Sequence, residues 1–169
     1  MKNVWFTSDF HLNHHNIIKY DNRPFSSVEE MNYVILKNFN SKVKDKDDVY
    51  YIGDFSFSIE VGVDFLKHAN GNWTFLLGNH DQKLKRILSQ VKEENGKNYK
   101  VHKKLFVEIN NIKFLLYHYP LEKWEEQEKR ILVFGHTHNP DMKKVGGKRK
   151  NVCINLTNYF PVSFEKIIE

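Results

Sequence analysis

Five short apolar runs in this chain each stop at a residue able to bind a metal ion. Val4-Trp5-Phe6 leads into Asp9 and His11, and Val49-Tyr50-Tyr51-Ile52 leads into Gly53-Asp54. Phe75-Leu76-Leu77 leads into Gly78-Asn79-His80-Asp81, and Phe114-Leu115-Leu116-Tyr117 into His118. Ile131-Leu132-Val133-Phe134 leads into Gly135-His136-Thr137-His138. Runs of this length read as strands. Their recurrence predicts a sheet structure whose strand ends converge on one cluster of oxygen and nitrogen donors, where sites sit in open α/β sheets.

The rest of the chain fits that frame. Residues 2–8 read as a strand. Ser26-Ser27-Val28-Glu29-Glu30 reads as a capping box, and Met31, Val34, Ile35 and Phe39 follow helical spacing, which predicts a helix over 27–43. A second helix is expected over 58–69, a turn at Asn70-Gly71-Asn72, a strand over 73–77 and a helix over 82–92, followed by an exposed loop at 93–98. Residues 101–109 and 112–117 read as two strands joined by a tight hairpin at Asn110-Asn111. A short helix near 121–128, a strand at 131–134, a basic loop or hairpin tip over 143–150 and a strand over 151–156 complete the reading. Ser163 caps a last short helix or starts an edge strand. Strand and helix alternate in the first half, and strands dominate the second.

A chain of 169 residues is most simply one domain, 1–169, large enough to bury a core without disulfides. Hydrophobic and aromatic contents of 40% and 14% fit a packed globular protein. No apolar stretch is long enough for a membrane helix, and the first residues lack the pattern of a signal peptide. The single Cys153 excludes an intrachain disulfide and fits a reducing cytoplasm. Flanked by Val152 and Ile154, it reads as a small strand residue, not a nucleophile. A net charge of +5 mildly favours an anionic partner, a phosphorylated small molecule or nucleic acid.

The donors themselves carry chemistry. In Asp9-x-His11, side chains two apart on an extended backbone can chelate one ion, and His136-x-His138 repeats the geometry with two imidazoles. Carboxylate plus imidazole suits Mn, Fe, Co, Ni or Zn better than Ca or Mg alone. The absence of cysteine ligands argues against a structural thiolate zinc site. Glycines at 53, 78 and 135 allow the backbone turns that strand exits need.

The set Asp9-x-His11, Gly53-Asp54, Gly78-Asn79-His80-Asp81, His118 and Gly135-His136-Thr137-His138 resembles the calcineurin-like metallophosphoesterase family in order and spacing. The segment from Thr7 to Tyr20, with Arg23-Pro24-Phe25, and the tail from Asn151 to Phe164 are similar to a compact bacterial and phage branch of it. Branch members often carry an aspartate where Asn155 stands. The resemblance implies an α/β fold, a two-sheet β-sandwich of mixed strands flanked by helices in α-β-β-α layers.

It further implies two divalent transition-metal ions, with Mn favoured. Asp9, His11 and His138 would hold the first, and Asn79, His118 and His136 the second. Asp54 would bridge them. Two carboxylates cancel only half of the ions' four positive charges, so a bridging water would be strongly acidified. The expected reaction is hydrolysis of a phosphate ester by in-line attack of that bridging hydroxide. His80 would stabilise or protonate the leaving oxygen. Asp81 could orient His80, or cap the helix over 82–92.

Substrate recognition is less determined. Arg23 could clamp a phosphate or be a surface residue beside Pro24. His14 could line the pocket or make a structural hydrogen bond, and Asn16 reads as the cap of a short helix. The tract Lys143-Lys144, Lys148-Arg149-Lys150 reads as a solvated loop sooner than as a nucleic-acid contact. The favoured reading is a phosphodiesterase acting on a small nucleotide-like substrate. The alternatives are a metal-dependent nuclease and a phosphomonoesterase. A non-catalytic scaffold would be expected to have lost ligands, and here every position is filled.

Overall fold

Period-two alternation in the apolar runs sends their side chains into two separate cores. A computed structural model describes residues 2–139 and 148–169. In β2 (Asp48–Ile52), Val49 and Tyr51 enter one apolar cluster while Tyr50 and Ile52 face the other. β1 (Val4–Thr7) and β3 (Asn72–Leu76) flank β2 in parallel, with Trp5 opposite Val49 and Val49 opposite Trp73. Burial on both faces explains why these strands read as continuous apolar runs. β4 (Lys100–His102) pairs in parallel with β3, and β9 (Val162–Ser163) closes the opposite edge antiparallel to β1.

Helices cover the outer face of this sheet. A short α1 (Ile17–Tyr20) precedes α2 (Val28–Lys42), α3 (Ile59–His68) and α4 (Leu84–Asn95). Met31, Ile35 and Phe39 of α2, Phe65 and Leu66 of α3 and Ile87 of α4 pack with Val49, Tyr51, Trp73 and Phe75. Each fully buried side chain of this size contributes roughly 1.5–3 kcal/mol. The α2 cap forms as its residues require: Ser27 Oγ accepts from Glu30 N at 3.1 Å, and the Glu30 carboxylate accepts from Ser26 N at 2.7 Å.

The second sheet has the order β5 (Lys104–Ile109), β6 (Ile112–Tyr117), β7 (Arg130–Phe134), β8 (Arg149–Asn151). β5 and β6 form the expected hairpin. Asn110 and Asn111 sit at φ 50° and 63°, the left-handed pair that a two-residue type I′ loop needs. β6, β7 and β8 are parallel. The sheets face each other through Phe6, Ile52 and Leu76 on one side and Phe114, Leu116 and Val133 on the other. Phe164 and Ile167 of α5 (Phe164–Ile168) complete that layer. Two mixed sheets flanked by helices are thus the architecture. Among the described residues no helix is long and apolar enough to cross a membrane.

Several local expectations are corrected. The run 101–109 is two strands: β4 joins the first sheet, and after Lys103 β5 joins the second. Residues 121–128 form turns, not a helix. Leu121 and Trp124 tuck onto Leu115, Leu132 and Phe134, and Glu126 at φ 53° breaks any helical path. The expected strand 151–156 ends as β8 at Asn151, and Ile154–Thr157 is a 3-10 turn. The helix expected over 82–92 opens with a 3-10 turn, Asp81–Lys83, and α4 then continues to Asn95, stopped by Gly96 at φ 72°. Ser163 caps α5, accepting from Lys166 N, but it ends the edge strand β9 and does not start one. Asn16 stands at the N-cap of α1 without a side-chain capping bond. Lys143 and Lys144 lie outside the described residues.

Candidate active site

The strand exits are held side by side by backbone hydrogen bonds. Asp9 N donates to Gly53 O at 2.9 Å, His11 N to Asp54 O at 3.1 Å, and Gly135 N to His118 O at 3.0 Å. Four donor residues adopt left-handed backbone: Asp9 (φ 59°), His11 (φ 52°), Asp54 (φ 61°) and His136 (φ 66°). Non-glycine residues seldom do so, and such strain persists where surrounding contacts over-determine it. Two of the glycines serve close approach instead. A Cβ at Gly78 would fall 2.1 Å from Asp54 Oδ1, and one at Gly135 would fall 2.3 Å from Asp9 Oδ2.

The structure brings together every side chain the sequence pointed to as a ligand. Asp9, His11 and Asp54 offer donor atoms within 4.8 Å of one another, and so do Asp54, His118 and His136. Asp54 belongs to both groups. Its Oδ2 lies 3.7 Å from His11 Nε2 and 3.5 Å from His118 Nε2. Asn79 Oδ1 is 3.1 Å from His118 Nε2 and 3.0 Å from His136 Nδ1. His138 Nε2 lies 3.4 Å from Asp9 Oδ1. His118 Nδ1 meets the carbonyl of Ile52 at 2.8 Å, which turns Nε2 toward the cluster.

The donor atoms of this cluster suit a cation. His11 is buried, yet among the described residues neither of its ring nitrogens has a hydrogen-bond partner. A buried imidazole without partners is costly unless a ligand satisfies it. Burial drives its pKa down to about 3, so the ring is neutral and ready to donate a lone pair. Burial would raise Asp9, but the hydrogen bond from His138 and the charges of His118 and His11 hold it at about 2. Burial would likewise lower His138, but hydrogen bonds to Asp21 and Asp9 raise it to about 9. The oxygen and imidazole donors therefore fit divalent transition metals.

His80 takes a different place. Its backbone N donates to Asp54 Oδ1 at 2.8 Å, and its exposed ring lies 5.6 Å from the His11 ring. It stands beside the donors and open to a substrate. The Asp81 expectation is corrected. Its buried carboxylate neither orients the His80 ring nor caps the following helix. It accepts from the backbone N of Gly78 at 2.7 Å and of Asp54 and Phe55 at 2.8 Å each, pinning two strand exits together. Asp81→Ala would orphan three N–H groups, so a loss of about 3 kcal/mol or more is expected in a denaturant titration. An unchanged midpoint would deny Asp81 that role.

Arg23 is corrected too. It is only 3% exposed and cannot clamp a substrate. Its guanidinium donates to Phe10 O at 2.9 Å, Asp9 O at 3.0 Å and Asp21 Oδ2 at 3.2 Å. His14 is half-buried at the rim, stacked on Phe57 with centroids 4.2 Å apart and 8° between planes. Phe57 in turn lies 5.2 Å from the His80 ring. Cys153 is buried against Asn155 Oδ1, and burial pushes its thiol well up, as suits a structural residue. Asn155 has its own task, since its Nδ2 donates to His138 O at 2.9 Å. An aspartate there could not make that bond.

Sequence reasoning missed Asp21 and Phe57. Asp21 hydrogen-bonds to His138 Nδ1 across 117 residues of chain, and no local pattern signals that pairing. Phe57 lies two residues beyond the buried Phe55 and reads as more core.

Residues 2–156 match the model of the calcineurin-like phosphoesterase superfamily domain. The chain belongs to that superfamily. Its relatives include MJ1445 of Methanocaldococcus jannaschii, 36% identical over all of this chain and 91% of that protein. The gene 66 protein of Mycobacterium phage L5 is 27% identical over 83% of this chain and 79% of that one. Among solved structures, the Aquifex aeolicus protein AQ665 superposes with a TM-score of 0.77 at 22% identity, covering 99% of this chain and 98% of that one. An archaeal phosphodiesterase gives 0.54 at 21% identity, over 88% and 82%. These structural likenesses establish the shared fold. Superfamily membership, together with the donor groups, supports a metal-dependent phosphoesterase.

Proposed function

We propose that this phosphoesterase hydrolyses a phosphodiester of a small nucleotide-like compound at a two-metal centre, with Mn the favoured ion. The observation that carries the reading is the pair of donor groups sharing Asp54, with His80 tethered to that same carboxylate. Asp9, His11, Asp54 and His138 would hold one ion, and Asp54, Asn79, His118 and His136 the other. When bound, such ions supply positive charge to the phosphoryl oxygens and acidify the attacking water. The chain's own residues do the rest. Asp54 fixes the spacing of the two groups and the position of His80. His80, exposed beside them, donates a proton to the departing oxygen. His14 and Phe57 give the leaving side an aromatic wall against which a planar base can lie.

Diester preference is supported by Arg23. A monoester carries extra negative charge, and this guanidinium beside the cluster is already bonded to two carbonyls and Asp21. The nuclease reading is less favoured. Arg149 stands opposite Leu132, two residues before the β7 and β8 ends where Asn151 meets Phe134, and it donates to Leu121 O. The thiol of Cys153 agrees with a cytoplasmic setting.

Hydrolysis of bis-p-nitrophenyl phosphate and of p-nitrophenyl phosphate under Mn, Ni and Mg tests the proposal. Faster diester cleavage is expected, and a clear monoester preference would reverse it. Metal uptake should also depend on pH. His138, with a pKa of about 9, must give up a proton to become a ligand, whereas His11, at about 3, has none to lose. Rising pH removes that competing proton, so metal affinity should climb from pH 6 toward pH 9. Proton release on Mn binding, measured calorimetrically in buffers of differing ionisation heat, checks the sign. An affinity that fell over this range would contradict it.

A further inference from the structure

We propose that Asp21 is a positioning residue for the first metal site, holding His138 directly and Asp9 through Arg23. The inference rests on the reading of Asp9 and His138 as metal ligands. His138 has two ring nitrogens with separate duties. Nδ1 meets the Asp21 carboxylate, and Nε2 points at Asp9 Oδ1 3.4 Å away. A carboxylate at Nδ1 selects the tautomer that leaves the Nε2 lone pair free and fixes the plane of the ring.

The Asp21 oxygen that meets His138 also accepts from Arg23 Nε at 3.2 Å. From there the guanidinium fork continues to Phe10 O at 2.9 Å and Asp9 O at 3.0 Å. The contacts close a loop: Asp9, His138, Asp21, Arg23 and back to Asp9. That loop clasps a segment whose Asp9 and His11 both sit in left-handed backbone, where the chain by itself would relax. A planar fork bonded at fixed angles resists that relaxation better than a flexible ammonium would.

Among the described residues the other donor group lacks this support. Behind His118 stands the neutral carbonyl of Ile52, and His136 Nδ1 faces Asn79. Loss of Asp21 should therefore weaken one ion and spare the other. Partners behind metal-bound imidazoles are typically worth about 10–100-fold in metal affinity.

The test is a Mn titration of the full-length metal-free protein and of Asp21→Ala and Asp21→Asn, resolving two dissociation constants, alongside thermal unfolding. In Asp21→Ala one constant should weaken about 10–100-fold while the other moves less than about threefold. Asp21→Asn keeps an acceptor without its charge and should recover part of the loss. Two constants unchanged would overturn the inference, as would two weakened equally, because a purely structural residue lowers both together. Should Asp21→Ala fail to fold, Asp21→Asn decides alone: a loss confined to one ion supports positioning, and none or an equal loss overturns it. Wild-type protein that takes up no Mn would overturn the ligand assignment itself, a different failure from two ions bound without help from Asp21.

Discussion

Asp54→Asn is expected to lower diester hydrolysis by at least about 10³-fold. That corresponds to about 4 kcal/mol of transition-state stabilisation, within what metal charge at the phosphoryl group supplies. Asp54 is 2% exposed and shared by both donor groups. Nearby histidine charge and its hydrogen bonds hold its carboxyl below the usual range despite burial, so it is an anion at neutral pH. The amide would halve the carboxylate charge that Asp9 and Asp54 together offer, and would turn one donor atom into an N–H. The backbone bond from His80 can persist to the amide oxygen, so the fold should survive. Steady-state kinetics, metal analysis and circular dichroism on the same sample check this. A folded Asp54→Asn protein with undiminished turnover would falsify the shared site.

His80→Ala is expected to lower turnover by about 10²–10⁴-fold while both metals stay bound. The ring is exposed, beside the donors but outside the groups Asp9–His11–Asp54 and Asp54–His118–His136. Proton donation matters most when the departing alcohol is a poor leaving group. The defect should therefore be large for alkyl or nucleoside esters and small for p-nitrophenyl esters, whose leaving anion is stable without a proton. A defect independent of the leaving group would give His80 a binding role. Loss of metal in His80→Ala would move it into the coordination shell.

Much of the candidate site was legible in the sequence because its donors stand at strand exits. An apolar run of period two ends where its pairing ends, and the next polar residue is left at the sheet's rim. Val49 to Asp54 shows this directly: four strand residues are followed by a glycine and a carboxylate at the centre of the cluster. Local chemistry also fixed the α2 cap at Ser27 and the two-asparagine hairpin.

What escaped was choice of partner. Residues 100–109 keep one strand-like pattern while changing sheets at Lys103, because period and propensity do not specify which edge a strand joins. Leu121 and Trp124 cover the second sheet without helical spacing, and only the surface they fill explains them. Arg23, Asp81 and Asp21 are charged residues near the site, and charge suggests contact with substrate or solvent. The fold instead surrounds them with backbone carbonyls, backbone N–H groups and a histidine. Such partners are set by tertiary packing and leave no local trace.

The proposed function stands on a centre of two ions that performs phosphodiester hydrolysis. Its most direct test is stepwise Mn addition to metal-free protein, with bound metal and bis-p-nitrophenyl phosphate cleavage followed on one sample. No cleavage is expected without metal, and full activity only near two ions per chain. Full activity in chelated protein, or saturation at one ion, would contradict it.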